Sequence, residues 1–388
     1  MVLSKRWQPL WKLVPRLVYD DQGYQNIEYW KFSRFVDRSL ILHEAPVDTL
    51  HFKLIQTSGA ADIGIWITIA VKHCVRDLII ELDCSSSTTP VTLPRSLYTW
   101  CRMLVTLKLK SVILVDASSL PSFPTLKTLS LLSVKYPGDE FVKSLLFNCY
   151  VLQDLDVERC DNDNVTIFTV IVPSLKSLYL DEKSDEFKDG GFVIDAPLLE
   201  IFHIRDHITD CCVIENDMPK IVQAYVDASY YHPGKILCYI TSVKRLFFCL
   251  KEVYPVDSVF HRLVHLTLCT CEKEWLKLLM YLLRNSPTLQ ALKLIQRHTS
   301  GDDRQSPRWN EPSSVPECVL SSLETLQWVR YEGTEEEKGV MEFILRSANC
   351  LKKATISSKA TDPNKKLEMI KELSSSPRRS PTCQLIFD

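Results

Sequence analysis

Residues Pro124-Thr125-Leu126-Lys127-Thr128-Leu129-Ser130-Leu131 are echoed by Pro173-Ser174-Leu175-Lys176-Ser177-Leu178-Tyr179-Leu180 and by Pro287-Thr288-Leu289-Gln290-Ala291-Leu292-Lys293-Leu294. The shared kernel is apolar-x-x-apolar-x-apolar, often preceded by proline. Its last three positions alternate, which is the period of a strand with both apolar side chains on one face. The extra apolar residue three positions earlier closes the same core.

The kernel recurs along the chain, starting at Val47, Val75, Leu104, Leu126, Leu152, Leu175, Leu199, Ile221, Val243, Leu263, Leu289, Leu323 and Leu351. Successive starts lie 20 to 34 residues apart, about 25 on average, which is the period of leucine-rich repeats. One such unit cannot bury its own apolar face, so the units must stack. The expected fold is an α/β leucine-rich-repeat solenoid with a parallel sheet on the concave side and short helices on the convex side. Asp139–Phe147 is one such helix by spacing, with Phe141, Leu145 and Leu146 on one face.

Composition limits the chemistry. The chain has 388 residues, 46 Lys+Arg against 48 Asp+Glu, and a formal net charge of −2. That balance gives no general attraction to nucleic acid or to an anionic membrane. Glycine is scarce, at 10 residues, and no GxGxxG, GxxxxGK[ST] or GxSxG motif occurs. Common nucleotide enzymes and serine hydrolases are therefore disfavoured. No apolar run reaches the length of a membrane span. With 14 cysteines and no secretory signal, a reducing compartment is expected, cytoplasmic or nuclear. The sequence predicts no enzyme activity, no cofactor and no metal.

Three constellations resemble sites. His203 and His207, followed by Cys211 and Cys212, suggest a metal pair, but the repeat register puts His203 in a strand and His207 just beyond it. Cys269 and Cys271 with Cys318 suggest a thiol cluster, which reads as buried free cysteines. The acidic stretches Asp161–Asn164 and Asp181–Asp189 read as solvated loops, and Ser300–Ser314 reads as a linker or long loop. The positions between the leucines make a stronger candidate, because they point away from the core. The candidate target-binding face is Lys108, Asp154, Asp156, Glu158, Tyr179, Asp181, His203, Arg205 and Tyr225. Thr106, Lys110, Ser177, Gln223 and Asp227 lie on the same outward positions. Tyrosine among charges is the composition of a recognition face.

The two ends carry a family resemblance. Residues 2–17, VLSKRWQPLWKLVPRL, resemble the last helix of an F-box, and Phe32–Leu42 resembles the F-x-x-F-V-D-x-x-L segment that follows it in plant F-box proteins with leucine-rich repeats and an FBD domain. At the other end, WNEPSSVPECVLSSLETLQW (309–328), EGTEEEKGVMEFILRSANCLKKATIS (332–357) and KLEMIKELSSSPRRSPTCQLIFD (366–388) resemble the FBD domain. Within this last unit, spacing predicts helices over Glu335–Asn349 and Pro363–Leu373, a strand over Leu351–Ile356, and a final strand in which Cys383, Leu385 and Phe387 alternate.

The resemblance implies three regions: an F-box remnant over 1–15, repeats over 16–310, and an FBD-type α/β cap over 311–388. It also implies a non-catalytic substrate-recognition subunit of a cullin-based ubiquitin ligase. In such a subunit the F-box docks a Skp-type adaptor and the repeats hold a protein target, here unknown. The stretch that opens the family's F-box is absent from this sequence. Leu3, Trp7 and Trp11 are therefore expected to pack onto the first repeat. The alternative is an interaction scaffold or truncated copy that cannot dock the adaptor.

Overall fold

The computed structural model describes residues 10–21, 29–55, 60–83, 91–116, 121–183, 188–228, 234–250, 258–297 and 309–388. The chain forms two compact units, Met1–Leu199 and Glu200–Asp388. Leu3 and Trp7 fall outside the described residues, as does most of the expected linker.

In the first unit the repeat kernels form the parallel strands Thr49–Leu54, Asp77–Leu82, Thr106–Lys110, Thr128–Leu132, Asp154–Arg159 and Ser177–Glu182, and Arg16–Asp20, which carries no kernel, pairs in parallel with the first of them. Each strand aligns with the next kernel on kernel: Leu107 pairs with Leu129, Leu129 with Leu155, and Leu155 with Leu178. The apolar positions thus stack into two continuous rows, each residue at most 2% exposed from Leu107 to Leu180. Burying a leucine side chain of this kind contributes about 1.5–3 kcal/mol. A one-residue slip would turn both rows to solvent, so register is strongly fixed. Tyr19 stacks on Phe52 of the neighbouring strand at 5.6 Å, and Phe52 on Trp66 of the helix Ala60–Lys72 at 5.1 Å.

The helix Asp139–Phe147 has the bounds that spacing predicts, and it buries Phe141, Val142, Leu145 and Leu146. Asp139 and Glu140 occupy its first turn, where the helix dipole favours negative charge.

In the second unit the kernels give Ile201–Asp206, Gln223–Ala228, Arg245–Leu250, His265–Cys269, Ala291–Ile295, Thr325–Tyr331 and Lys353–Ser358, again parallel, and Gln384–Phe387, beyond the last kernel, pairs in parallel with Lys353–Ser358. The ladder continues on both sides of residues 310 and 311: Leu292 pairs with Leu326, and Leu326 with Ala354. The helices expected near the C-terminus lie at Glu335–Ser347 and Pro363–Ser375, and the strand expected over Leu351–Ile356 lies at Lys353–Ser358. Thr334 and Glu337 form a capping box at the start of the first of these helices.

A side-chain hydroxyl ties one repeat to the one before it. The residue preceding the first leucine donates to the backbone carbonyl of the previous repeat's first leucine: Ser174 to Leu152 at 2.7 Å, Thr288 to Leu263 at 3.0 Å, Ser322 to Leu289 at 2.9 Å, and Thr125 to Leu104 at 2.8 Å. These bonds satisfy carbonyls at the turn that the parallel ladder leaves unused.

Candidate functional site

The strand faces opposite the core carry the predicted site residues. In the first unit, Lys108 and the acidic residues Asp154 and Asp156 are exposed, and Glu158 and Asp181 are partly so. Tyr179 is 41% exposed and pairs in register with Asp156. The carboxylates have cross-strand partners: Ser130 donates to Asp156 at 3.1 Å, Thr128 to Asp154 at 3.4 Å, and Ser133 to Glu158 at 3.1 Å. Lys183 forms an ion pair with Glu158. Burial raises the Asp156 carboxyl above its ordinary range.

Two expectations for this unit are corrected. Of the stretch Asp181–Asp189, Asp181 and the buried Glu182 lie in the strand Ser177–Glu182, and Asp189 lies in the strand Lys188–Asp195, rather than in a solvated loop. The stretch Asp161–Asn164 is not simply a solvated loop, because Asp163 is buried and forms a two-point pair with Arg159, at 2.7 Å to Nε and 3.1 Å to an end nitrogen. Arg159 also donates to the Val165 carbonyl and lies 3.4 Å from Glu182, its register partner on the next strand. All three charged side chains are buried. The planar fork of arginine suits two carboxylates and a carbonyl at once.

Trp11 lies in the short 3-10 turn Leu10–Leu13. It lines a groove of about 860 Å³ with Trp30, Phe35 and Leu42, alongside the basic side chains Arg16, Lys31, Arg34 and Arg38. The backbone carbonyl of Lys12 accepts from Glu44 and Ala45, so this segment runs against the chain leading into the Thr49–Leu54 strand.

The second unit gives the clearest arrangement. His203, Tyr225 and Phe247 occupy the same outward position on three neighbouring strands. Their rings stack: His203 on Tyr225 at 4.0 Å with planes 3° apart, and Tyr225 on Phe247 at 4.1 Å with planes 5° apart. The Arg297 guanidinium lies 5.5 Å from the Tyr225 ring and 5.4 Å from Phe247. Such cation–π contacts contribute about 0.5–1 kcal/mol each at exposed sites. All three ring-bearing residues keep partial exposure, as does Arg205 in the adjacent row.

Asp227, expected on the outward surface, faces outward by register but is fully buried. It lies 3.1 Å from His207 Nε2 and 3.9 Å from Arg297. The hydrogen bond to Asp227 raises the His207 pKa above its ordinary 6.5, with burial opposing it. His203 and His207 therefore serve different partners, one a ring stack and the other a carboxylate.

The thiol cluster also needs correction. Cys318 lies apart, donating to the Leu283 carbonyl at 3.0 Å. The third member beside Cys269 and Cys271 is Cys249.

Phe247 and Arg297 were missed by sequence reasoning. Phe247 fills the last x position of Val243-x-x-Leu246-x-Phe248, so the rule that selected Tyr225 also selects it. Arg297 follows its strand and carries no pattern signal; only the fold brings it over the rings.

Chemically, this surface offers flat aromatic faces, a cation fixed by a buried carboxylate, and neighbouring charges. Among the described residues, no helix is long and apolar enough to cross a membrane.

Comparison with known proteins gives a consistent result. The FBD family matches residues 311–356. The family described as FBD-associated F-box protein At5g56370, LRR repeats, matches residues 63–225. Probable FBD-associated F-box protein At1g32375 of Arabidopsis thaliana is 62% identical across all of this chain and 94% of its own length. Putative FBD-associated F-box protein At5g56390 of the same plant is 53% identical, covering 100% of this chain and 92% of the relative. F-box/FBD/LRR-repeat protein At5g56420, also from Arabidopsis thaliana, is 46% identical with the same coverage.

Proposed function

The chain belongs to the plant F-box/FBD/leucine-rich-repeat family, and from that membership we propose that it is a non-catalytic target-recognition subunit of a cullin-based ubiquitin ligase. The names of its relatives, which are F-box proteins with repeats, support this reading. The repeats are read as a solenoid presenting one face of its parallel sheet to a protein target, with residues 311–388 as the cap of its C-terminal end. The adaptor is a Skp-type protein, reached through the F-box-like segment of residues 2–15. The protein acts in the cytoplasm or nucleus, without a cofactor of its own.

One observation carries the target-binding part. The His203–Tyr225–Phe247 stack under Arg297 places rigid, partly exposed aromatic faces and a fixed guanidinium on the sheet. Tyrosine and arginine are enriched in binding hot spots, tyrosine through large rigid area and arginine through a planar, always charged fork. The partner this surface fits offers an apolar or aromatic side chain next to a carboxylate.

Co-expression of the full chain with a plant Skp-type adaptor tests the ligase part. Co-elution of the two as a stable complex is expected. Target capture by a chain that never retains the adaptor would instead make it a binding scaffold.

A further inference from the structure

Among the described residues, one group brings three metal-type ligands together, and it lies outside the recognition stack. Cys249, Cys269 and Cys271 are all buried, with every pair of sulfur atoms within 4.8 Å. The Cys269 and Cys271 sulfurs are 2.7 Å apart, and Cys249 and Cys271 are 3.6 Å apart. The repeat register produces this meeting. Cys249 ends the kernel strand Arg245–Leu250 on its outward side, Cys269 ends the neighbouring strand His265–Cys269, and Cys271 lies two residues past it. The ring of Phe247 packs against the group.

We propose that Cys249, Cys269 and Cys271 bind a single thiophilic metal ion of the Zn²⁺ or Cu⁺ class. Soft thiolates select these ions over Mg²⁺ or Ca²⁺. Metal–sulfur bonds of about 2.3 Å set ligand sulfurs about 3.8 Å apart around one ion, so a small adjustment of this trio accommodates it. Three donors complete a trigonal Cu⁺ site; Zn²⁺ takes a water as its fourth ligand. An ion here would pin the ends of two strands beside the aromatic stack. The C-x-C pair and its distant third ligand do not match a common zinc motif, and it is the repeat register that assembles them.

The test uses the full chain, purified under reducing conditions. Elemental analysis is expected to find one equivalent of zinc or copper per chain, which also tells the two ions apart. After chelator treatment, titration with Co²⁺ alone is expected to give thiolate charge-transfer and visible bands that saturate at one equivalent. Cys269→Ser and Cys271→Ser should abolish those bands, and Cys350→Ser, at an exposed free thiol, should leave them unchanged. Should the site variants fail to fold, X-ray absorption of the wild-type chain loaded with Zn²⁺ decides the matter: a shell of three sulfur neighbours supports the site. The proposal is overturned by a shell of nitrogen and oxygen only, by bands that survive in a folded Cys269→Ser chain, by absence of stoichiometric uptake, or by recovery of a Cys269–Cys271 disulfide from the reduced preparation.

Discussion

The His203 imidazole stacks on the Tyr225 phenol ring at 4.0 Å, with planes only 3° apart. Tyr225 stacks in turn on Phe247, so one ring sits between two others on an outward row. Tyr225→Ala removes the middle of the stack without touching the core rows beneath it. Its expected cost to stability is about 1 kcal/mol, the range of aromatic pairs beyond their area. Its expected cost to target binding is larger, about 2 kcal/mol or roughly thirtyfold, as for a central hot spot. Chemical denaturation and target co-purification, run on the same variant, separate the two effects.

Arg159 is the fixed cation of the first unit. Arg159→Met leaves Asp163 and Glu182 buried without it. Removing one partner of a buried ion pair costs about 3–5 kcal/mol. Arg159→Lys should recover little, because a point charge cannot serve two carboxylates and a carbonyl through a planar fork. Urea unfolding of both variants checks this; a loss under 1 kcal/mol for Arg159→Met would show that the network is neutral.

Glu337 makes the stability of the second unit depend on pH. Its carboxylate accepts from the backbone amides of Glu332, Gly333 and Thr334 at 2.9, 2.8 and 3.3 Å. Burial nevertheless pushes it up to about 7, from an ordinary 4.5, against those bonds. The folded state therefore holds this proton more tightly than the unfolded chain. Its contribution is complete below about pH 4.5 and is lost as pH rises through about 7. Thermal melts across that window should show a decline that Glu337→Gln flattens.

The repeat hydroxyls give an additive test. Ser174→Ala, Thr288→Val and Ser322→Ala each remove one tie to the previous repeat. A net loss of about 1 kcal/mol per site is expected, summing for Ser174 with either of the other two, whereas Thr288 and Ser322 are neighbours, since Ser322 bonds to the carbonyls of Pro287 and Leu289. Denaturation midpoints of the single and combined variants measure it.

Close contact between elements explains a glycine in the C-terminal helix. A Cβ on Gly339 would meet the Trp309 ring, which itself packs against Phe343 at 5.8 Å. Gly339→Ala should therefore destabilise by about 1–3 kcal/mol through overpacking, despite the better helix propensity of alanine. Loss of Trp309 fluorescence burial would accompany it.

Much of this fold is legible because the kernel is self-consistent. A period-2 apolar strand, repeated about every 25 residues, leaves one way to stack, and Leu107, Leu129, Leu155 and Leu178 follow it in register. The helix Asp139–Phe147 was legible for the same reason, since its apolar spacing and acidic first turn agree. The same pattern named Tyr225 and His203 as outward, but it could not say that their rings touch. Contacts made through residues outside the kernel stayed hidden. Arg297 lies beyond its strand, Asp163 sits in a loop that reads as solvated, and Cys249 lies a full repeat before Cys269. Cys318, nearer in type than in space, stood in its place.

Under the proposed function, a protein target binds the partly exposed stack on the second unit. Its most direct measurement is site-specific photo-cross-linking in plant cells from Thr267, the register neighbour of Phe247 on the next strand. A defined partner is expected to cross-link to the otherwise unaltered chain and to be lost when Tyr225→Ala or Arg297→Ala is added. A cross-linked partner retained at the same yield by both folded variants would contradict it.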